Sequence, residues 1–355
     1  MSFDRRREAL AARTGGVADG YLVTKLVNVR YLTGFTGSNA AVLVPADGPP
    51  ILATDGRYAA QAAQECPDVD VLVSRRLGSD LVEQARAMGY RQLAIERHHV
   101  TLNAYDVLVA ASDNRVSYVD GGETVEQLRA VKDEAEIAAL REACRVTDEV
   151  FGAVLGYLRL GVTELDIAWG MQEEMHGRGA EPAFDSIVAF GHNSARPHHQ
   201  PTTRPLEAGD LVKMDFGARV DGYHADMTRT VCVGPPADWQ RELHALVATI
   251  QSEARAQVVP GAVPVDLDNA NRARIEAAGY EVAHGLGHGV GLEIHESPFL
   301  VPDSPAARLV DRVAVTVEPG IYLPGRGGVR IEDTVVVGAA GAEPLTSSPR
   351  ELIEI

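Results

Sequence analysis

The chain reads as two domains of different class, an α/β domain over residues 1–122 and an α+β domain over residues 123–355. Three observations predict this. Short apolar runs of strand type alternate with helix-type runs up to about residue 120. The triplet Asp120-Gly121-Gly122 then breaks the pattern. Beyond it, the order helix–helix–hairpin occurs twice, its second helices opening at Gly161-Val162-Thr163-Glu164-Leu165-Asp166 and Gly261-Ala262-Val263-Pro264-Val265-Asp266. A chain of 355 residues has room for two such domains.

In order, residues 4–13 suit a short helix. Strands are expected at 21–24, 41–44, 51–53, 69–73, 92–95 and 116–119, and helices at 57–64, 80–88 and 102–110. The stretches Asn28-Val29-Arg30-Tyr31-Leu32-Thr33-Gly34-Phe35-Thr36-Gly37-Ser38-Asn39 and Thr54-Asp55-Gly56-Arg57-Tyr58 are polar and glycine-rich and are expected as loops, with turn chemistry their simplest explanation. Leu128, Val131, Ile137 and Leu140 recur at helical spacing and predict one long helix over 125–158. A helix opened by residues 161–166 and running to about Arg178, a helix over 239–259, and a helix opened by residues 261–266 and running to about Ala278 follow, the first and last ending near Gly179 and Gly279. Identity between the halves is low, so the repeat rests on element order. A duplicated domain packs about a pseudo-twofold axis, and a site belongs where its halves meet.

Composition excludes several function classes. A net charge of −17, from 33 basic and 50 acidic side chains, leaves no basic face for nucleic acid. No run approaches the ~20 apolar residues of a membrane span. The start, Met1-Ser2-Phe3-Asp4-Arg5-Arg6-Arg7-Glu8, has no apolar segment behind its basic residues and does not read as a signal peptide. Cys66, Cys144 and Cys232 are scattered and read as buried small apolar residues. A reducing compartment, the cytoplasm, is expected.

The chemistry concentrates in the second domain. His284-Gly285-Leu286-Gly287-His288-Gly289-Val290-Gly291-Leu292-Glu293-Ile294-His295-Glu296 sets three histidines among glycines, which let backbone approach closely. Strands over 211–218 and 223–233, joined by a four-residue loop at 219–222, would set Asp215 directly opposite Asp226. Strands over 314–322 and 328–337, centred on Gly325, would set Glu318 opposite Glu332. Directly opposed residues have Cβ atoms only ~4.5–5.5 Å apart, so each pair repels unless a cation intervenes. Four carboxylates and the His288 imidazole make an oxygen-rich donor set suited to two divalent ions, Mn²⁺, Co²⁺ or Zn²⁺. Two such ions ~3.5–4 Å apart share a water of lowered pKa. Other motifs fail: Asp215-Phe216-Gly217 lacks the rest of a kinase signature, and neither His-Glu-x-x-His nor Gly-x-Ser-x-Gly occurs.

The segments Met214-Asp215-Phe216-Gly217, Ala225-Asp226-Met227-Thr228-Arg229-Thr230, Gly287-His288-Gly289-Val290-Gly291-Leu292, Val317-Glu318-Pro319-Gly320-Ile321-Tyr322 and Arg330-Ile331-Glu332-Asp333 resemble the pita-bread metallopeptidases. Within that group the chain is similar to the Xaa-Pro peptidases, aminopeptidase P and prolidase, and residues 28–39 and 55–58 resemble their creatinase-like N-terminal domain. The resemblance implies metal ligands Asp215, Asp226, His288, Glu318 and Glu332, with Asp226 and Glu332 shared by both ions. It implies a peptide substrate with proline in second position, attacked by a hydroxide between the metals, with Glu318 passing a proton to the proline nitrogen. His198 would lie near the scissile bond, His295 would hold the carbonyl oxygen, and His284 would lie on the proline side. Arg330, two residues from Glu332 on a strand, would orient a carboxylate or the substrate. His199 is the weaker of its adjacent pair, and His192, His224 and His244 are not assigned to the site. A homodimer is expected from the same resemblance. Methionine aminopeptidases share the five ligands but usually lack the N-terminal domain, creatinase lacks the full metal set, and non-catalytic relatives have typically lost ligands. Between aminopeptidase P and prolidase, the compact N-terminal domain favours the former; a prolidase restricted to dipeptides is the alternative, and Arg57 is one candidate to read a proline carboxylate.

Overall fold

The structure is a computed structural model that describes residues 2–355. The chain divides into two compact units, the first through Arg129 and the second from Ala130.

In the first unit, strands Asp70–Val73, Ile51–Thr54, Ala40–Pro45, Gly20–Val23, Gln92–Ile95 and Ser117–Asp120 lie side by side in that order in one sheet. Gly20–Val23 pairs antiparallel with Ala40–Pro45 and parallel with Gln92–Ile95. Helices Leu77–Ala87 and Leu102–Ser112 close one apolar core, in which Leu81, Val82, Ala85 and Leu108 meet Leu22, Leu43, Leu93 and Ile95. Two expectations change here. The stretch from Asn28 is not all loop, because Leu26–Thr33 is helical and stops at Gly34. Its polar side chains have internal partners: Asn28 Nδ2 donates to Glu96 Oε1 at 2.7 Å, and Thr33 Oγ1 donates to the Val29 carbonyl at 2.8 Å. The first unit also runs beyond residue 122. Helix Thr124–Ala130 belongs to it through Glu126, which accepts from Asn28 Nδ2 at 2.8 Å, and Arg129, whose Nη1 donates to Asn28 Oδ1 at 2.7 Å.

The long helix expected over 125–158 is two helices, Thr124–Ala130 and Glu134–Leu155. Helical periodicity continues through the break, but Asp133 restarts the helix as a capping box. Its side chain accepts from Ala135 N–H at 2.9 Å and Glu136 N–H at 3.0 Å, and Glu136 Oε2 accepts from the Asp133 N–H at 2.9 Å.

The second unit repeats as the element order predicts. Helices Glu134–Leu155 and Glu164–Gly177 precede one hairpin, and helices Asp238–Ala256 and Pro264–Ala277 precede the other. The halves repeat individual hydrogen bonds as well: Gly161 N–H donates to Leu206 O at 2.9 Å and Gly261 N–H to Leu309 O at 2.8 Å. Each helix pair covers its own sheet. Val150, Phe151, Ile167 and Met171 pack on Val188, Val212, Met214 and Val231, while Ala254, Val258 and Leu267 pack on Leu286, Val315, Val317 and Val335.

The hairpins differ in register from one another. In the second, Val317 pairs with Asp333 and Gly320 with Arg330, which sets Glu318 opposite Glu332 as expected. In the first, Asp215 pairs with Thr228, not Asp226. The cause is the turn: Val220 pairs with Tyr223, leaving only Asp221 and Gly222, both at positive φ, as a two-residue hairpin loop. The slip relative to a four-residue loop is two residues, an even number. Asp226 therefore keeps the face of Asp215 but stands diagonal to it.

The hairpins meet along a seam held by threonines. Thr334 Oγ1 donates to the Asp226 carbonyl at 2.8 Å and accepts its N–H at 3.2 Å. Thr230 Oγ1 treats Arg330 alike, donating to its carbonyl at 3.0 Å and accepting its N–H at 3.3 Å. Between them, Glu332 N–H donates to Thr228 O at 3.0 Å and Thr228 Oγ1 donates to Glu332 Oε2 at 2.6 Å. Thr334→Val keeps the shape and removes both clasps on Asp226; it is expected to cost about 1–3 kcal/mol in urea unfolding of metal-free protein. An unchanged midpoint would show that the clasp carries no stability.

Candidate metal centre

His288 lies in the strand Gly287–Gly289, between Glu296–Leu300 and Ala314–Val317. Its neighbours must be glycine: a Cβ at Gly287 would stand 2.1 Å from Thr316 O, and one at Gly289 would stand 2.5 Å from Glu296 O. The squeeze delivers the imidazole to the seam. His288 Nδ1 donates to the Gly289 carbonyl at 3.1 Å, and its N–H donates to Thr316 Oγ1 at 3.1 Å. With Nδ1 donating, Nε2 presents its lone pair. It faces Asp226 Oδ2 at 3.5 Å and Glu318 Oε1 at 3.4 Å. Burial, then the neighbouring His295, push the His288 pKa down to about 4, so the ring stays neutral.

Three potential metal-ligating groups thus converge on one point. Donor atoms of Asp226, His288 and Glu332 all lie within 4.8 Å of one another, and all three residues are buried. Asp226 Oδ1 and Glu332 Oε1 are buried without a hydrogen-bond partner. Burial, then the charges of Glu332 and Asp215, hold the Asp226 carboxyl well above the ordinary range. Burial, then Glu318 and Asp215, do the same to Glu332. Burial pushes Glu318 up to about 7, against the pull of Arg330. Orphaned carboxylate oxygens around an imidazole lone pair are what a divalent cation satisfies.

Arg330 fixes the other side. Its Nη2 forms an ion pair with Asp215 Oδ2, and its Nε donates to Thr228 Oγ1 at 3.0 Å, the same hydroxyl that donates to Glu332. Its Nη1 donates to Tyr322 Oη at 2.7 Å. His284 Nδ1 donates to its neighbour's carbonyl, Gly285 O, at 2.8 Å, so Nε2 accepts from Tyr322 Oη at 2.9 Å. The chain Arg330–Tyr322–His284 therefore runs donor to acceptor and leaves His284 neutral.

All the residues expected at the site line one cavity of about 260 Å³: His198, Asp215, Asp226, His284, His288, His295, Glu318, Arg330 and Glu332. Phe184, Ile187, Ile294, Phe299 and Val301 form its apolar walls. His199 is turned away, buried with Nε2 2.8 Å from Glu164 Oε2, which pins the loop that carries His198. His224 is buried on Gly291 O and His192 is exposed. Arg57 lies in the first unit, with Nε and Nη2 each 2.9 Å from an oxygen of Asp55.

Sequence reasoning missed Tyr322, Thr228, Thr316 and Lys213. The first three were accessible, since each shares strand parity with a site carboxylate or arginine. Lys213 was not, because a lysine two residues before Asp215 reads as solvated. It is fully buried, its Nζ donating to Arg196 O at 2.5 Å and Pro197 O at 3.1 Å, and burial, with Arg330 nearby, pushes its pKa down to about 6.

Residues 138–339 match the model of metallopeptidase family M24, and residues 4–131 match the creatinase/prolidase N-terminal domain. An Xaa-Pro dipeptidase of Pyrococcus horikoshii is 34% identical over 94% of this chain and 94% of its own. Among solved structures, an Xaa-Pro dipeptidase from Bacillus anthracis is 35% identical with a TM-score of 0.94, covering 100% of both chains. An X-Pro aminopeptidase from Thermotoga maritima is 34% identical with a TM-score of 0.89, covering 97% of this chain and 99% of the other.

Two outcomes are expected at this centre. Glu332→Ala should lower the divalent metal retained after dialysis, measured by plasma mass spectrometry; full retention would remove Glu332 from the ligand set. Because Asp226, Glu332 and Glu318 hold protons above the ordinary range, with Glu318 at about 7, cation binding must expel protons and tighten as pH rises through that value. Calorimetry in buffers of differing ionisation enthalpy measures the release, and no release would contradict the raised carboxyl pKa values.

Proposed function

The chain belongs to metallopeptidase family M24, and we propose that it is an Xaa-Pro peptidase that hydrolyses the bond between an N-terminal residue and a following proline. The observation that supports this most is the single cavity in which an unsatisfied acidic cluster and four histidines face apolar walls.

Asp215, Asp226, His288, Glu318 and Glu332 would hold two divalent ions. Manganese suits so oxygen-rich a set. When bound, the ions supply Lewis-acid polarisation of the scissile carbonyl and of the attacking water. The chain's residues do the rest. Glu318 takes the proton released by the water and delivers it to the departing proline nitrogen. His295 donates its imidazole N–H to the carbonyl oxygen as negative charge develops there. His198 lies beside the scissile bond. Arg330 keeps Asp215 in place and, through Thr228, Glu332.

The proline nitrogen carries no hydrogen once acylated, so its recognition must rest on shape. Phe184, Ile187, Ile294, Phe299 and Val301 offer apolar surface for a pyrrolidine ring, and neutral His284 offers contact without a charge to desolvate. A cytoplasmic homodimer completes the reading, and the three cysteines are free and buried, in keeping with a reducing compartment.

Two substrate lengths are compatible with this site. The compact N-terminal domain favours aminopeptidase P, and the names of the Pyrococcus and Bacillus anthracis relatives favour a prolidase. Mn²⁺-loaded protein should be offered an Xaa-Pro dipeptide, an Xaa-Pro-Xaa tripeptide and an Xaa-Ala control. Cleavage of both proline substrates gives aminopeptidase P, and of the dipeptide alone, prolidase. Cleavage of neither, with metal bound, would falsify the peptidase assignment. His295→Ala is expected to lower kcat by ~10²-fold or more while metal content holds; an unchanged kcat would place the oxyanion on another group.

A further inference from the structure

Lys132 stands in the break between helices Thr124–Ala130 and Glu134–Leu155, where the sequence pattern predicts continuous helix. Local rules broken in this way tend to mark functional constraints. The Lys132 backbone N–H donates to Arg312 O at 2.9 Å, which fixes the residue beside the strand Ala314–Val317. Its ammonium, 1% exposed, donates to Glu296 Oε1 at 2.7 Å, and the Glu296 side chain is 3% exposed.

A fully buried ion pair contributes little net stability compared with apolar residues of similar volume, so it is more readily explained by the geometry it fixes. Here that geometry is the 290–296 strap. Glu296 Oε2 accepts from Glu293 N–H at 3.3 Å. Gly291 lies against the same carboxylate, where an added Cβ would stand 2.4 Å from Oε1. One carboxylate thus gathers both ends of the strap, and the cation opposite it comes from outside the strap. The residue next to Glu296 is His295, which lines the cavity with its ring 4.3 Å from that of His288. Among the described residues the His295 imidazole makes no hydrogen bond, so its seat is set by the backbone that carries it together with its edge contact on the His288 ring.

We infer that the buried Lys132–Glu296 pair is the positioning device for His295: it ties the 290–296 strap to the helix break so that the imidazole meets the carbonyl oxygen of the substrate. This rests on the role of His295 proposed above. A small misplacement of such a group costs rate more than affinity, because the interaction is made chiefly in the transition state.

The first arm of the test is hydrogen–deuterium exchange on metal-free protein. Lys132→Met should raise amide exchange within 290–296 by about tenfold or more, with helix Glu134–Leu155 as protected as before. Unchanged exchange in the strap overturns the tether. The second arm is kinetic, on the metal-loaded protein and an Xaa-Pro substrate. Lys132→Met should lower kcat by about tenfold, with KM within about twofold and metal content unchanged. In the His295→Ala background the same substitution should cost no more than about twofold, because the group it positions is gone. An unaltered kcat, or an equal loss in both backgrounds, overturns the inference. Should Lys132→Met not fold, Lys132→Met/Glu296→Leu removes both charges and is judged by the same criteria. A wild-type chain that cleaves no proline substrate refutes the peptidase reading, and the exchange arm still decides whether the pair holds the strap.

Discussion

The second unit depends on holding like charges together out of water. Two ionised carboxylates 4 Å apart repel by about 4 kcal/mol at an effective dielectric of 20, against a typical domain stability of about 5–15 kcal/mol. Asp215, Asp226, Glu318 and Glu332 could not all be ionised here without cations. Arg330 neutralises one of them directly, and burial with mutual repulsion holds the carboxyls of the others above the ordinary range. The threonine seam makes that strain tolerable by clasping backbone at Asp226 and Arg330. Asp226 is thereby held by bonds that do not involve its own charge.

Much of this was legible in the sequence, and the failures have identifiable causes. The helix–helix–hairpin repeat was visible because both halves keep their element order. The Glu318–Glu332 opposition was visible because its loop was placed correctly, and every site residue reached the same cavity. The first hairpin departs from the expected register because Asp221-Gly222 alone forms its loop, Asp-Gly being the signature of a two-residue turn. The departure does little harm, since parity is kept. The single long helix failed for a different reason. Apolar spacing continues through Val131, and no local pattern announces that Lys132 must turn inward to meet a glutamate far along the chain. Long-range electrostatic pairing of that kind leaves no trace in periodicity.

The first unit shows the opposite relation between polarity and role. Its two polar, glycine-rich stretches largely satisfy one another. Asn39 Nδ2 donates to Asp55 Oδ2 at 2.6 Å, and Arg57 closes on both oxygens of the same carboxylate. Turn chemistry explains Asn39, Asp55 and Arg57, whereas residues 28–33 of the first stretch are helical. In the second unit, unpartnered oxygens of Asp226 and Glu332 converge with the His288 imidazole, and that convergence is the more discriminating signal.

The Asp221-Gly222 turn has a consequence for tolerance to change in chain length. Exposed hairpin tips ordinarily absorb insertions, because slack there disturbs nothing behind it. This tip has no slack. If one added residue is carried into the ladder, side chains after it change faces, and Asp226 would leave the metal cluster along with Thr228. Two added residues would restore the face but slide Asp226 along the strand. The most solvent-accessible bend of the hairpin is therefore where a change in residue count would be felt most directly at its buried end.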